Sequence, residues 1–296
     1  MSIGQQTYGA LRSRVPSSLR ASIAGGVEAI GVSTSSLRVL PSFLIVGGQR
    51  CGTNSLYEYL VEHPAVGRAM PQQEVHFFDT SFWRGSPWYR GHFPTRLWMR
   101  ATEARAGHPA MTGESSPYYM FHPLAPQRIA ATLPDVRLIV LLRNPVERAY
   151  SQFHHERSNG NETLGFEEAL DSEPERLAGE VERILRDPRY NSFSHQHHSY
   201  LARGHYADQL ETLYASFPKD RVSVVLSERL FSEPQKVEGE VLDFLGLPPV
   251  ASRSYGRHNA GRYAEMPSAL RRRLSDHFEG SNHRLAGMLG TDPPWS

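Results

Sequence analysis

The run from Ser42 to Ser55, SFLIVGGQRCGTNS, is the feature that most constrains the fold. Its opening, SFLIV, is short and continuously apolar, the pattern of a strand buried on both faces inside a parallel sheet. Two glycines end the run. TNSLYEYLVEHP follows, with Leu56, Tyr59 and Leu60 at helical spacing and Pro64 closing the segment. Strand, glycine loop and helix in this order make half of a βαβ unit, and the loop falls where backbone amides and a helix N-terminus hold phosphate oxygens.

Two further apolar runs repeat the theme. VRLIVLL at 136–142 follows a helical stretch, APQRIAATLP, and RVSVVLSERL at 221–230 follows YADQLETLYASF, which Pro218 ends. Alternating strands and helices predict an α/β fold, a P-loop-like parallel β-sheet flanked by helices, in a single domain over 41–296. A chain of 296 residues, 39% hydrophobic, is long enough for one substantial core. Residues 1–40 are Ser-rich and carry Arg12, Arg14, Arg20 and Arg38 against Glu28, and are read as a loosely ordered arm rather than a transit peptide. The acid-rich stretch 155–189 suits thin surface helices and is open to two readings, a lid over the site or a solvated insertion.

Lys and Arg number 32 against 31 acidic residues, so there is no global pull toward nucleic acid or an anionic membrane, and an anion site must be local. The single cysteine, Cys51, excludes an intramolecular disulfide, and no Cys/His spacing matches a zinc site. A reducing, cytoplasmic setting is the expectation. No stretch approaches the roughly 18 apolar residues of a membrane span.

The loop GGQRCGTNS, residues 47–55, fits the frame of a nucleoside-triphosphate loop until Thr53 stands where that loop requires Lys. ATP hydrolysis is thereby disfavoured. The loop's cation is Arg50; Cys51 and Gly52 contribute backbone, and Thr53, Asn54 and Ser55 can donate hydrogen bonds at the helix start. A glycine turn with a helix cap would need no ligand, but an Arg between buried elements calls for an anionic partner. Arg143 leaves the end of the second apolar run and Ser151 sits on the helix after it, so both can reach one dianion beside the loop; an Arg143–Glu147 ion pair is the competing arrangement. In EVHFFD, residues 74–79, Glu74 and His76 fall on one face if the segment is extended.

Three of these segments, LIVGGQRCGTNSLYEYL, LLRNPVERAYSQF and EVHFFD, resemble the motifs of sulfotransferases that use 3′-phosphoadenosine 5′-phosphosulfate (PAPS), in the branch of the heparan sulfate N- and O-sulfotransferases and their bacterial relatives. The resemblance spans about residues 41–290. It implies that Arg50 stands at a position usually held by Lys in the 5′-phosphosulfate loop, that Arg143 and Ser151 hold the 3′-phosphate, and that Glu74 is the base with His76 beside it. GESSPYYMFHP is similar to a further loop of the family, with Ser115 where many members have Lys, and RSYGRHNAGRY makes Arg257 a second candidate for the 3′-phosphate. Implied, then, is sulfuryl transfer to a hydroxyl or amine of a small-molecule or glycan acceptor, PAPS as co-substrate, and no metal. The alternatives are a nucleotide-dependent kinase and a non-catalytic protein that binds adenosine 3′,5′-bisphosphate. The aromatic residues after Glu74 (Phe77, Phe78, Phe82, Trp83, Trp88, Tyr89, Phe93) read as core rather than as an acceptor cleft.

Overall fold

A computed structural model describes residues 17–251, 253–256 and 264–295, with side chains from residue 22 onward. Five parallel strands form one sheet in the order β2–β3–β1–β4–β5: Phe43–Ile45 (β1), Val66–Gly67 (β2), Met111–Ser115 (β3), Arg137–Leu142 (β4) and Val222–Leu226 (β5). β1 is central, in register with Gly113–Ser115 on one side and Arg137–Ile139 on the other. Successive side chains of a strand point to opposite faces. Phe43, Ile45, Ile139, Leu141 and Val225 therefore pack under the helices Thr53–Val61 and Pro234–Leu245. Leu44, Val46, Leu138, Val140 and Leu142 pack under Ala125–Thr132, Tyr206–Ser216 and Ser268–Leu289. Apolar demand on both faces is why β1 and β4 read as unbroken hydrophobic runs.

Several expectations need correction. The third apolar run is strand only to Leu226; Ser227–Ser232 is a helix, and the Ser-Glu-Arg break marks the change. β3 was legible only as a loop motif, because MTGES lacks an apolar pattern. Its Thr112, Glu114 and Ser115 are nonetheless fully buried. Phe77, Phe78, Trp88, Tyr89 and Phe93 are core, as expected, whereas Trp83 is exposed.

The arm over residues 1–40 is not loose throughout. Ser17–Ser33 is a helix, and its C-terminal part docks on the domain. Gly31 abuts Gly91 so closely that a Cβ on Gly31 would sit 2.4 Å from the Gly91 carbonyl oxygen. Glu28 accepts from Arg84 at 2.6 Å, and Arg38 donates to the Phe93 carbonyl at 2.7 Å. Replacing Gly31 by Val forces the two backbones apart. The expected outcome is faster cleavage after Glu28 by a glutamate-specific protease than in the wild type, read by mass spectrometry under native conditions.

Candidate functional site

Parallel pairing of β1 and β4 places the segments that follow them side by side. Gly48 donates to the Leu141 carbonyl at 2.8 Å, and a Cβ on Gly47 would lie 2.1 Å from the Leu141 nitrogen, so only glycine lets the loop hug β4. Arg50 (φ 69°) and Gly52 (φ 89°) turn the chain left-handed before the helix Thr53–Val61 starts. That helix has no side-chain cap. Its first-turn amides lack intrahelical acceptors and carry the positive end of the helix dipole. Gly52, Thr53 and Asn54 line a cavity of about 820 Å³, and the buried Asn54 Oδ1 has no hydrogen-bond partner.

From β4, Arg143 enters the same cavity and donates to the Arg50 carbonyl at 3.3 Å. Asn144 caps the next helix, Pro145–Ser158, accepting from the Val146 amide at 3.0 Å, with Pro145 at the first helical position. The helix so started carries Ser151, whose Oγ accepts from Arg50 Nε at 3.1 Å. Arg50, Arg143 and Ser151 are thus one cluster. Glu147 does not pair with Arg143 but with Arg271, and among the described residues Arg143 forms no ion pair.

Two loop residues expected to bind the nucleotide do not offer their side chains. Cys51 is fully buried beneath the loop, its Sγ 4.0 Å from the Tyr206 hydroxyl, and burial pushes the thiol up to about 11. Ser55 is likewise fully buried and does not line the cavity. Either can serve only through its backbone. Arg257 lies outside the described residues.

Across the cavity from the cations stand Glu74 and His76. The segment is not extended: His76 has φ 53°. This left-handed residue, rather than strand alternation, brings its Nε2 to 3.5 Å from Glu74 Oε2 and its Nδ1 to 2.7 Å from Asp79 Oδ2. Among the described residues Arg50 and His76 are the only non-glycine positions with positive φ, and both line the cavity. Such backbone costs about 1–3 kcal/mol each and persists where surrounding structure enforces it. Burial by itself would depress the His76 imidazolium, but Asp79, and then Glu74, more than offset this and hold its pKa well above the ordinary value. Buried Asp79 would be driven up by desolvation, yet His76 keeps it below the usual carboxylate range.

Enforcement comes from Glu114 on β3. One of its oxygens accepts from the Val75 amide at 3.1 Å and Ser116 Oγ at 2.6 Å; the other accepts from the Tyr89 and Tyr119 hydroxyls at 2.9 and 2.8 Å. Ser116 Oγ in turn accepts from the His76 amide and the Tyr119 hydroxyl from the Phe77 amide. Three consecutive amides are therefore fixed, directly or through one hydroxyl, to a single carboxylate. Burial raises that carboxyl to about 7, although the four donors pull the other way.

A further wall holds Gln49, Glu156, His197 and Arg203. Gln49 donates to Glu156 at 3.1 Å and accepts from Arg203 at 3.2 Å, while Glu156 also meets His197 Nδ1 at 2.9 Å. None of these four, nor Asp79 or Glu114, was singled out from the sequence. Asp79 lies three positions after His76 in the quoted motif, a usable signal; Gln49 and Arg203, 154 positions apart, carry none. Of the stretch 155–189, only His155, Glu156 and Asn159 line the cavity. Elsewhere in the stretch Glu162 is bound by Arg176 and Glu173 accepts from the Leu201 and Ala202 amides.

A glycine loop with an uncapped helix start on a parallel sheet, sharing one cavity with a carboxylate–imidazole pair, suits a group-transfer enzyme. Residues 40–259 match the sulfotransferase domain family, and the chain belongs to that family. It is 32% identical to the human heparan sulfate glucosamine 3-O-sulfotransferase 6, over 87% of this chain and 74% of that protein. The Drosophila melanogaster bifunctional heparan sulfate N-deacetylase/N-sulfotransferase is 28% identical over 84% of this chain, which corresponds to only 24% of that longer protein. A sulfotransferase crystal structure from Alicyclobacillus acidocaldarius superposes with a TM-score of 0.65 at 30% identity, covering 87% of this chain and 99% of that one. The fold and the family reading are borne out, and a kinase is set aside.

Asp79→Asn removes the main support of the His76 proton. The imidazole pKa is expected to fall toward or below its ordinary value, because burial then acts with less opposition. An NMR titration of the His76 ring, in wild type and variant, measures this.

Proposed function

We propose that this sulfotransferase moves the sulfuryl group of PAPS onto an acceptor hydroxyl, with Glu74 as general base. The observation that carries the reading is the convergence of Arg50, Arg143 and Ser151 with Glu74 and with His76, itself held from behind by Asp79, on one cavity. The residues fit such a donor: a guanidinium without an ion pair among the described residues and uncapped helix amides are both suited to the anionic oxygens of a ligand. A volume of about 820 Å³ lies within the range of nucleotide and cofactor pockets.

Arg143 and Ser151 hold the 3′-phosphate in this reading, and Arg50 with the first-turn amides faces the 5′-phosphosulfate. Glu74 takes the proton as the acceptor oxygen forms its bond to sulfur and the bond from sulfur to the donor's phosphate oxygen breaks. Arg50 then balances the negative charge left on that phosphate oxygen, the task of a preplaced cation in a loose transfer. His76, held by Asp79, orients Glu74 and cannot drift, because Glu114 fixes the backbone on either side of it.

Glu74→Gln is expected to lower turnover about 10²- to 10⁴-fold while leaving adenosine 3′,5′-bisphosphate affinity intact. Turnover like that of the wild type would remove Glu74 from the role of base. Calorimetry on Arg143→Ala tests the donor end: bisphosphate binding should weaken by about tenfold or more, matching the loss of charge-assisted hydrogen bonds, and ATP with magnesium should bind poorly to both proteins. Preferential ATP binding would overturn the PAPS assignment.

A further inference from the structure

The helix Arg96–Ala106, which leads into β3, departs from the pattern of an ordinary surface helix. Met99 and Thr102 face the domain and are buried. At 3.6 residues per turn the opposite side carries Leu97, Ala101 and Ala104, so the outermost ridge is apolar where a solvated helix is polar. Leu97 is 78% exposed, more than any other large hydrophobic side chain among the described residues. An antiparallel bridge between Arg38 and Thr95 lays Leu37, itself 60% exposed, beside the helix start and lengthens the ridge. On its flank Trp98 is part exposed, its ring against Gly67 of the edge strand β2, where a Cβ would lie 2.7 Å away.

Cations border the ridge on both sides: Arg96 and Arg100 along one, Arg105 beside Trp98 along the other. All three are exposed, and none forms an ion pair among the described residues. On the last helix, by contrast, exposed Arg271, Arg273 and Arg284 meet Glu147, Asp171 and Asp208. Glu103, the one acid of Arg96–Ala106, turns back to accept from the Ala110 amide at 3.2 Å. A chain of net charge +1 thus keeps three unpaired cations around its most exposed leucine.

We propose that this helix face is a docking surface for a membrane bearing anionic lipid, with Leu37 and Leu97 entering the headgroup boundary and Arg96, Arg100 and Arg105 meeting the lipid charges. A single polyanionic chain would satisfy the arginines and leave the leucines in water. A protein groove would bury the leucines but would need acids along both rims. A bilayer supplies both without being shaped to this chain: its acyl boundary takes up an apolar ridge, its headgroups lie on either side of it, and indole rings and arginine stems settle at the same level. The attachment is peripheral and lies outside the sulfotransferase site.

The test is flotation of the full chain with vesicles of phosphatidylcholine alone and of two parts phosphatidylcholine to one part phosphatidylserine. Binding is expected to the second only, and to fall as salt rises from about 0.1 M to about 0.5 M, because the screening length shortens. Arg96→Gln combined with Arg100→Gln should weaken it about 25-fold, the product of about fivefold for each arginine near an anionic surface. Leu97→Gln should weaken it about tenfold through the lost apolar transfer. None of these side chains is buried, so circular dichroism should show both variants melting with the wild type. Cys51 is fully buried, so an environment-sensitive fluorophore on Leu97→Cys labels the ridge alone, and its emission should shift to the blue on the anionic vesicles. No binding to either vesicle, binding that Leu97→Gln leaves unchanged, or an unshifted fluorophore overturns the proposal. Retention on heparan sulfate without vesicle binding makes the face a polyanion site, and a dimer that Leu97→Gln abolishes, in place of vesicle binding, makes it an interface between two copies; either result also overturns the proposal. None of these readouts involves PAPS, so the donor assignment stands or falls separately.

Discussion

Parallel pairing of β1 with β4 is the constraint on which the rest depends. It aligns Phe43–Ile45 with Arg137–Ile139, so the chain leaves both strands at the same end of the sheet. In an open α/β sheet, ligands bind beyond the carboxyl ends of the strands, where neighbouring connections diverge. Here β1 runs into the glycine loop and β4 into Arg143 and the Ser151 helix. The contact of Gly47 with Leu141 pins the two exits together. Arg50 and Ser151 are then within hydrogen-bond reach although they lie 101 positions apart.

Glu114 extends this order to the opposite wall. β3 pairs with the other side of β1, so its carboxylate is set by the same sheet register that sets the loop. Four donors converge on that carboxylate, and through Val75, Ser116 and Tyr119 they fix the backbone on which Glu74 and His76 are mounted. Fully buried carboxylates are costly unless their lone pairs are satisfied. The cost is met by donors that are themselves the structure requiring support: two tyrosines of the core and a turn that would otherwise leave buried amides unpaired. Removing any one member leaves others unsatisfied, which makes the network cooperative.

This division also governs what could be read from the sequence. β1 and β4 were legible because burial on both faces writes an unbroken apolar run, and Arg50, Arg143 and Ser151 because they sit at fixed offsets from those runs. β3 was not, since Thr112, Glu114 and Ser115 are buried through hydrogen bonds rather than apolar packing, and no periodicity marks that. The pairing of Glu74 with His76 was reached through the wrong backbone: strand alternation suggested a shared face, but a left-handed His76 produces it. The burial of the Cys51 side chain was not legible because a glycine-rich loop with φ > 0 at Arg50 and Gly52 does not alternate in any simple way, and that side chain turns under the loop. The links among Gln49, Glu156, His197 and Arg203 join four distant segments and exist only once the sheet is assembled.

The buried cations show the same logic from the interior. Arg148 is fully buried, donating to Gln152 Oε1 at 2.6 Å and to the Tyr200 carbonyl, and its side chain passes beneath Gly48. Arg203, held by carbonyls, a hydroxyl and two aromatic faces, has its pKa lowered to about 10 by burial and by Arg148. Neither forms an ion pair among the described residues. Carbonyl dipoles and ring faces keep both charged without cancelling them, so the loop rests on a positive floor. A pair of carboxylates in their place would make two neutral salt bridges and leave the loop with only Arg50 and Arg143. Leaving the floor uncancelled costs stability when no ligand is bound and is offset when anionic oxygens occupy the loop.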